Sequence, residues 1–198
     1  MTNIEIPEKQ LESYYRKGSV ATDKAILQFL KDSRKDDKNP QMVVFGAQAL
    51  NAYLPKWLDR ATKDWDIFIT EGDARIQAEK LEKKLDKRYG GDFFSVEPAI
   101  HESTFRVRSR VTGDVVADIS LKDKTVAFNR IRGVDYAALE YLESEAERLL
   151  ADPEKVFRRN KDKDTLQRIK IQRIAKKRAQ KRKQDWDSDP FPAFRELR

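Results

Sequence analysis

The sequence has 198 residues, of which 39% are hydrophobic and 38% charged, and its formal net charge at pH 7 is +7. This length suits one domain, or a compact domain with a helical extension, with a modest core under a highly charged surface. The chain has no cysteine and one histidine, which excludes disulfides, thiolate nucleophiles and zinc sites built from several Cys or His. Any catalytic metal must have oxygen ligands, which favours Mg²⁺ or Mn²⁺. No apolar run approaches the ~20 residues that cross a bilayer, and the N-terminus has no signal-peptide pattern, so we expect a cytoplasmic (intracellular) protein without a membrane partner.

The first part of the chain predicts a helix, a buried strand, a second helix and another strand. Apolar residues recur at helical spacing after Thr22, a suitable N-cap. Residues 42–45 read MVVF, a short apolar run typical of a buried strand, and Gly46 separates it from the helical segment 47–54. Segment 64–70 reads DWDIFIT, whose alternation indicates a strand with chemically different faces.

The remaining chain predicts one helix, a run of strands and two further helices. Asp73 is a suitable N-cap for a helix that ends at Gly90. Helical spacing returns from Val134 to Leu150, and after Pro153 a long basic helix is expected. The expected strands cover 92–98, 103–111, 114–121 and 124–131, with Thr112-Gly113 as a hairpin signal. We therefore predict an α+β fold, with a mixed sheet flanked by helices and a C-terminal helical region.

The positive charge is concentrated near the C-terminus. Segment 154–184 contains fourteen Lys/Arg and three Asp/Glu, a net charge of +11, which leaves −4 for the remainder of the chain. Such an asymmetry indicates a polyanionic partner, RNA or DNA, although a solvated helix face that maintains solubility is the alternative. The candidate nucleic-acid contacts are Arg158, Arg159, Lys170, Arg173 and Lys177. The corresponding domain division is a core at 1–132, a helical region at 133–184 and a tail at 185–198.

The tripeptide Asp-Trp-Asp occurs twice, and the surroundings of the two copies differ. Asp64 and Asp66 lie in an apolar, alternating segment, which puts both carboxylates on one face of a strand roughly 6.5–7 Å apart. The copy at 185–187 lies among Asp, Ser and Pro without apolar alternation. Because Mg²⁺ requires near-octahedral geometry, a rigid pair of carboxylates binds it better than a flexible pair. We therefore expect Asp64 and Asp66 to bind metal and 185–187 to be a solvated, irregular tail.

A third carboxylate occurs in the segment VVADISL. Asp118 is a lone aspartate inside an otherwise apolar strand, which is costly unless something compensates its burial. A cation shared with Asp64 and Asp66 would compensate it, and so would an ion pair with Arg106 or Arg108 on the neighbouring strand. Because Asp118 occurs together with an Asp-x-Asp on another strand, we favour the metal over the ion pair.

The ordered segments VVFGAQAL, DWDIF and VADIS resemble the polymerase-β-like nucleotidyltransferase superfamily over about residues 42–121. The stretch from FGAQALNAYL to RATKDWDIF also resembles the subgroup that includes type IV toxin nucleotidyltransferases and viral poly(A) polymerase catalytic subunits. The resemblance implies a nucleotidyltransferase-like mixed sheet in which Asp64, Asp66 and Asp118 are catalytic and bind Mg²⁺ or Mn²⁺. It implies transfer of NMP from an NTP, with ATP expected, to a hydroxyl acceptor, with an RNA 3′ end expected, and release of pyrophosphate.

The same resemblance implies a phosphate-binding turn at Gly46, Ala47 and Gln48. Where the superfamily has a second Gly or a Ser, this chain has Ala47, which offers no hydroxyl, but the backbone N–H groups at the helix start can still hold phosphate. Arg60 and Lys63 are further candidate phosphate contacts, with surface charge as the alternative role. Gly46 would also be explained by a tight turn alone.

Other functions fit parts of the same pattern. A catalytically inactive relative could bind nucleic acid through the basic helix, and a toxin-like transferase could modify tRNA or protein. A glycosyltransferase would need a longer nucleotide-binding stretch before the Asp-x-Asp. A metal-dependent nuclease would need a lysine two residues after the strand aspartate, and this chain has Ser120 two residues after Asp118. A partner protein or an oligomer is possible.

Overall fold

The computed structural model of the chain describes residues 7–34, 40–122 and 126–187. The helices are α1 (Glu8–Ser33), α2 (Gly46–Tyr53), α3 (Ala74–Tyr89), α4 (Leu139–Ala151) and α5 (Arg159–Asp187), with short 3-10 helices at Lys56–Leu58 and Pro153–Arg158. The strands are β1 (Met42–Phe45), β2 (Trp65–Ile69), β3 (Phe94–Pro98), β4 (Thr104–Ser109), β5 (Val115–Leu121), β6 (Phe128–Ile131) and β7 (Val134–Ala137).

The strands form one mixed sheet in the order β3-β4-β5-β2-β1-β7-β6. β1 runs parallel to β7 and β2 runs parallel to β5, whereas the other neighbours are antiparallel. The predicted fold class, a mixed sheet flanked by helices and followed by a long C-terminal helix, is confirmed. None of the helices in the described part of the chain is long and apolar enough to cross a membrane.

The two faces of the sheet differ in character, because residues that pair across strands share a face and alternate along each strand. The face that we call the core face is packed and apolar, with these fully buried side chains: Val44, Ile67, Val107, Ala117 and Ile119. Trp65 lies on this face and donates its indole N–H to Asp23 of α1 at 2.9 Å, so α1 covers it. The opposite face, which we call the polar face, carries half-buried charged side chains in β2, β5 and β4, and it also carries the buried Val43 and Phe68.

The helix predicted from Val134 is wrong in its first turn. Residues 134–137 form β7, which extends the sheet past residue 132, and the helix begins at Leu139. Asp135 in β7 is buried and accepts hydrogen bonds from Arg130 at 2.8 Å and from Gln41 at 3.3 Å. A tetrapeptide as short as VDYA fits a strand or a helix equally well, and pairing with β1 decides between them.

The signals for α3 are local, whereas α1 begins at Glu8, before the N-cap expected at Thr22, and its first part contacts α3. Asp73 accepts from the backbone N–H of Arg75 at 2.7 Å, and Gly90 ends α3 in the left-handed conformation, as predicted. Lys17 of α1 donates to the carbonyls of Arg88 and Tyr89 at 2.9 and 3.0 Å. A cation at this position stabilises the C-terminus of α3 through its dipole.

The described residues divide into two compact units. The first reaches to Tyr53 and includes Asp59–Leu142, and the second is formed by Leu54–Leu58 and the chain from Glu143 onward. In the second unit, Arg168 of α5 donates to the carbonyl of Leu58, and Arg173 forms a two-bond ion pair with Glu143 at 2.5 and 2.7 Å. The domain boundaries expected from the sequence stay a prediction. The backbone of 185–187 continues α5, where we expected irregular structure, and 188–198 lies outside the described residues.

Candidate active site

A single row of residues crosses five strands on the polar face. Phe45 is in register with Asp66, Asp66 with Asp118, Asp118 with Arg106, and Arg106 with Glu97. Each of these side chains is half-buried. Asp66 and Asp118 are therefore neighbours on two adjacent parallel strands, whose backbones in such a sheet lie about 4.8 Å apart.

The third predicted carboxylate is at the entrance to β2. Asp64 immediately precedes β2 and has the same parity as Asp66, which puts it on the polar face. The Thr62 hydroxyl donates to Asp64 Oδ1 at 3.2 Å. Burial raises the pKa of the Asp118 carboxyl, the Arg106 guanidinium opposes that rise, and the Asp64 carboxylate adds to it. Asp64 is therefore close enough to Asp118 to repel its negative charge.

The Arg106–Asp118 ion pair, considered from the sequence as an alternative to a metal, is present. Arg106 Nε lies 3.5 Å from Asp118 Oδ1. Both atoms are buried, and neither has a hydrogen-bond partner in the described structure. The contact is thus an ion pair without hydrogen-bond geometry. It lies on the same face of the sheet as the three aspartates.

Gly46 shapes the side of the site formed by the start of α2. Its φ of +66° is in the left-handed region, and a Cβ placed on it would lie 2.1 Å from Asp66 Oδ2. Only glycine allows both this backbone conformation and so close an approach of the carboxylate. The turn after β1 therefore holds the Asp66 carboxylate against the N-terminus of α2, next to the buried Ala47 and the half-buried Gln48.

Arg60 and Lys63 lie in the loop that leads to β2. The Asn51 side chain of α2 accepts from the backbone N–H of Arg60 and donates to its carbonyl, both at 2.8 Å, which fixes this loop on α2. The Lys63 side chain is exposed and lies 3.9 Å from the Asp114 carboxylate. Both cations are thus near the carboxylates in the chain, and their contact with phosphate stays a prediction.

Sequence reasoning did not identify an aromatic neighbour of the site. The Phe45 ring lies 4.6 Å from that of Phe68 and 5.9 Å from that of Tyr141, and the Lys122 ammonium lies 4.5 Å from the centre of the Phe68 ring. The only local signal was the parity of Phe45 in MVVF, and it has meaning only once the register with Asp66 is known. His101, the single histidine, is exposed and close enough to Asp118 to lower the pKa of its carboxyl.

A different acidic cluster has the most compact geometry in the described residues. Carboxylate oxygens of Glu82, Asp86 and Asp92 lie within 4.8 Å of one another, whereas those of Asp64, Asp66 and Asp118 do not form such a group. Asp86 accepts from the backbone N–H groups of Phe93 and Phe94 at 2.8 and 3.0 Å, so the cluster fixes the start of β3. We interpret it as structural.

This cluster gives a prediction for stability. Burial raises the pKa values of Glu82 and Asp86, and their carboxylates repel each other and that of Asp92. A group whose pKa is raised by folding destabilises the folded state once pH rises through that folded pKa. We expect Asp86→Asn, which keeps an acceptor for the two backbone N–H groups, to raise the free energy of unfolding at pH 7 by about 0.5–1 kcal/mol.

Urea denaturation at several pH values measures this effect. The gain should disappear below about pH 4, where the carboxyl is protonated in both states. Asp86→Ala is the matched control, since it removes the acceptor too and should destabilise the protein by about 1–3 kcal/mol. A loss of stability in Asp86→Asn at pH 7 would contradict the interpretation of the cluster.

Comparison with solved structures finds a fold similar to that of the Megavirus polyadenylate synthase. The TM-score is 0.59 with 16% sequence identity, and the match covers 76% of this chain and 30% of that chain. The chain has a nucleotidyltransferase-like fold. It spans about 30% of the length of the viral protein, and the similarity concerns the fold.

A second solved structure is weaker evidence. JHP933 from Helicobacter pylori matches with a TM-score of 0.39 and 19% identity, over 77% of this chain and 61% of that chain, and a score this low supports no argument about function or fold. Neither a protein-family model nor a curated protein sequence matches the chain.

Proposed function

We propose that this protein is a metal-dependent nucleotidyltransferase that moves NMP from an NTP, with ATP as the expected donor, to a hydroxyl acceptor and releases pyrophosphate. The observation that carries this proposal is the register of Asp66 with Asp118, on the face that also carries Asp64. The Asp66 carboxylate adjoins the glycine turn at the start of α2, in a fold similar to that of a polyadenylate synthase.

The residues of the site fit a divalent cation. Asp118 Oδ1 is buried without a hydrogen-bond partner, and the Arg106 guanidinium at 3.5 Å compensates its charge only in part, so a divalent cation would be a better partner. A donor set made only of carboxylate oxygens suits Mg²⁺ or Mn²⁺. Asp64, Asp66 and Asp118 would hold it. When bound, such an ion lowers the pKa of an attacking hydroxyl and neutralises charge on the triphosphate.

The chain's own groups bind and orient the substrates. Backbone N–H groups at the start of α2, from Gly46 to Gln48, face the triphosphate, and the partial positive charge of the helix N-terminus favours it. Since Ala47 has no hydroxyl, the backbone and the cations Arg60 and Lys63 carry this binding. Asp118, on the strand adjacent to Asp66, orients the acceptor hydroxyl.

RNA is the acceptor that the charge of α5 favours. Residues 176–184 are exposed on every side of the helix, and they include these six cations: Lys176, Lys177, Arg178, Lys181, Arg182 and Lys183. Neighbouring like charges destabilise an isolated helix, and no apolar stripe packs this segment against the protein. A polyanion would remove that repulsion.

The five nucleic-acid contacts predicted from the sequence differ in how exposed they are and in whether they already form an ion pair. Arg159, Lys170 and Lys177 are exposed. Arg158 lies 3.6 Å from the buried Asp162, and Arg173 is bound to Glu143. We therefore assign the RNA contact chiefly to the exposed cations.

Replacing Lys176, Lys177, Lys181 and Lys183 with Gln tests the RNA contact. Loss of four cations should weaken binding of single-stranded RNA and lower the slope of log affinity against log salt by about 3. Fluorescence anisotropy of labelled RNA between 50 and 200 mM salt, roughly the range in which such binding changes most, measures both. The matched control makes the same charge change at exposed lysines elsewhere: Lys24, Lys80, Lys83 and Lys87. Equal effects of the two variants would show that net charge, and not α5, binds the RNA.

Incubation of the protein with each labelled NTP, Mg²⁺ or Mn²⁺, and either total RNA or total protein tests the reaction. We expect label in RNA with at least one NTP and none with the Asp64→Ala/Asp66→Ala variant. Label in protein would identify a toxin-like transferase that acts on a protein hydroxyl, and label confined to tRNA would identify one that acts on tRNA. Absence of label with every NTP and acceptor would overturn the enzymatic proposal.

A second candidate function is an inactive relative that only binds nucleic acid. Ala47 and the Arg106–Asp118 ion pair favour it, since each weakens a part of the proposed active site. Such a protein would bind RNA equally well with and without a divalent cation and would transfer no label. The label-transfer experiment, together with RNA anisotropy measured with and without Mg²⁺, therefore separates the candidates.

A further inference from the structure

Arg106 and Arg108 lie on the same strand and the same face, but their contacts differ. The Arg108 guanidinium donates to Glu97 at 2.8 Å through Nε and to the carbonyl of Gly113. Glu97 is the register partner of Arg106, yet its carboxylate pairs with Arg108. Arg106 is left with Asp118 as its ion-pair partner among the described residues.

The Arg106–Asp118 pair is poorly satisfied for its degree of burial. The side chains are 24% and 25% exposed, and the two facing atoms have no hydrogen bond. Burial of charges costs free energy that an ion pair offsets only when hydrogen bonds complete it. Separation of this pair therefore loses little, provided that each group gains a better partner. Asp118 would gain a divalent cation, and a guanidinium binds phosphate through two parallel hydrogen bonds.

We propose that Arg106 is a resident counter-ion that competes with the divalent cation for Asp118 and moves to the nucleotide phosphate once the cation is bound. This inference rests on the proposed function, because it concerns the same three carboxylates. Arg106 thus links cation binding to nucleotide binding. Linkage requires each ligand to raise the affinity for the other.

Binding of Mn²⁺ to the full chain, followed by the electron paramagnetic resonance signal of free Mn²⁺, tests the competition. Arg106→Gln removes a unit positive charge next to Asp118, and we expect it to bind Mn²⁺ about tenfold tighter than the wild type. Arg106→Lys keeps the charge and should bind Mn²⁺ with nearly wild-type affinity. Asp118→Asn should bind it more weakly than either. A purely structural role of Arg106 would leave the affinity unchanged or lower it.

The affinity for nucleotide should change in the opposite direction to the affinity for Mn²⁺. At saturating Mn²⁺, we expect Arg106→Gln to bind an unreactive ATP analogue about tenfold more weakly than the wild type, because the phosphate loses a charge-assisted partner. Isothermal titration calorimetry measures this affinity. Tighter Mn²⁺ together with weaker nucleotide is a combination that simple loss of structure cannot produce.

Arginine modification in the wild type gives a test that needs no folded variant. With phenylglyoxal and mass spectrometry, Mn²⁺ should increase the modification of Arg106 and leave that of Arg108 unchanged. If Asp118-dependent Mn²⁺ binding is found, but Arg106→Gln binds no tighter and Arg106 becomes no more reactive, the counter-ion role is wrong and the proposed function stands. If neither the wild type nor Arg106→Gln binds Mn²⁺, the proposed metal site is wrong, and the counter-ion role with it.

Discussion

Asp66→Asn and Asp118→Asn are each expected to lower nucleotidyl transfer by about a thousandfold or more and to leave the fold intact. Asparagine keeps the shape of the side chain in β2 or β5 and removes the negative charge that a divalent cation needs. Loss of such a group removes charge stabilisation that acts in the transition state. The initial rate of label transfer from NTP at saturating Mg²⁺ measures the effect, beside the thermal unfolding curve of each variant.

The second Asp-Trp-Asp supplies the matched control. Asp185→Asn/Asp187→Asn makes the same chemical change in the same tripeptide and should leave the rate unchanged. The unfolding free energy of Asp118→Asn should stay within about 1 kcal/mol of the wild type, because the neutral isostere avoids burial of charge while Arg106 loses its partner. Retained activity in Asp66→Asn, or loss of activity in the control, would contradict the assignment of the site.

Gly46→Ala is expected to destabilise the protein by roughly 2–4 kcal/mol and to lower transfer at least about a hundredfold. Two causes act together. The residue has a φ of +66°, and the new Cβ would lie 2.1 Å from Asp66 Oδ2. The Asp66 carboxylate would have to move away from the start of α2, and the proposed cation would lose a correctly positioned ligand. Urea denaturation and Mn²⁺ affinity measure the two consequences.

Gly113→Ala separates the two causes. Gly113 has a similar φ of +73°, but a Cβ there would have no atom within 4 Å. This control therefore has the backbone strain alone, which costs about 1 kcal/mol, and it should not change transfer or Mn²⁺ affinity. If Gly46→Ala behaved like Gly113→Ala, close contact between the turn and Asp66 would not be important for the site.

The local features of the fold could be predicted from the sequence alone. The run MVVF followed by Gly46, the alternation in DWDIFIT, and the caps of α3 at Asp73 and Gly90 are all confirmed in the structure. Their signals are the periodicity of apolar residues and the chemistry of turns and caps, which act within a few residues. That Asp64 and Asp66, and not the copy at 185–187, bind metal stays a prediction, and the irregular structure expected at 185–187 is wrong, since the backbone there continues α5.

The contacts that assemble the site depend on strand register, which no local pattern determines. Val134 to Ala137 form a strand because they pair with the edge of β1. Their own pattern was helical and continuous with that of α4. Asp118 shares a face with Asp66 because β5 pairs with β2 in this register, and a slip of one residue would turn Asp118 into the core. Pairing of β4 with β5 likewise chose Arg106, and not Arg108, as the partner of Asp118. The sequence by itself determined which side chains offer carboxylates to a cation, whereas tertiary pairing between distant strands put Asp66 and Asp118 side by side on one face, because register fixes the face of every residue in a sheet.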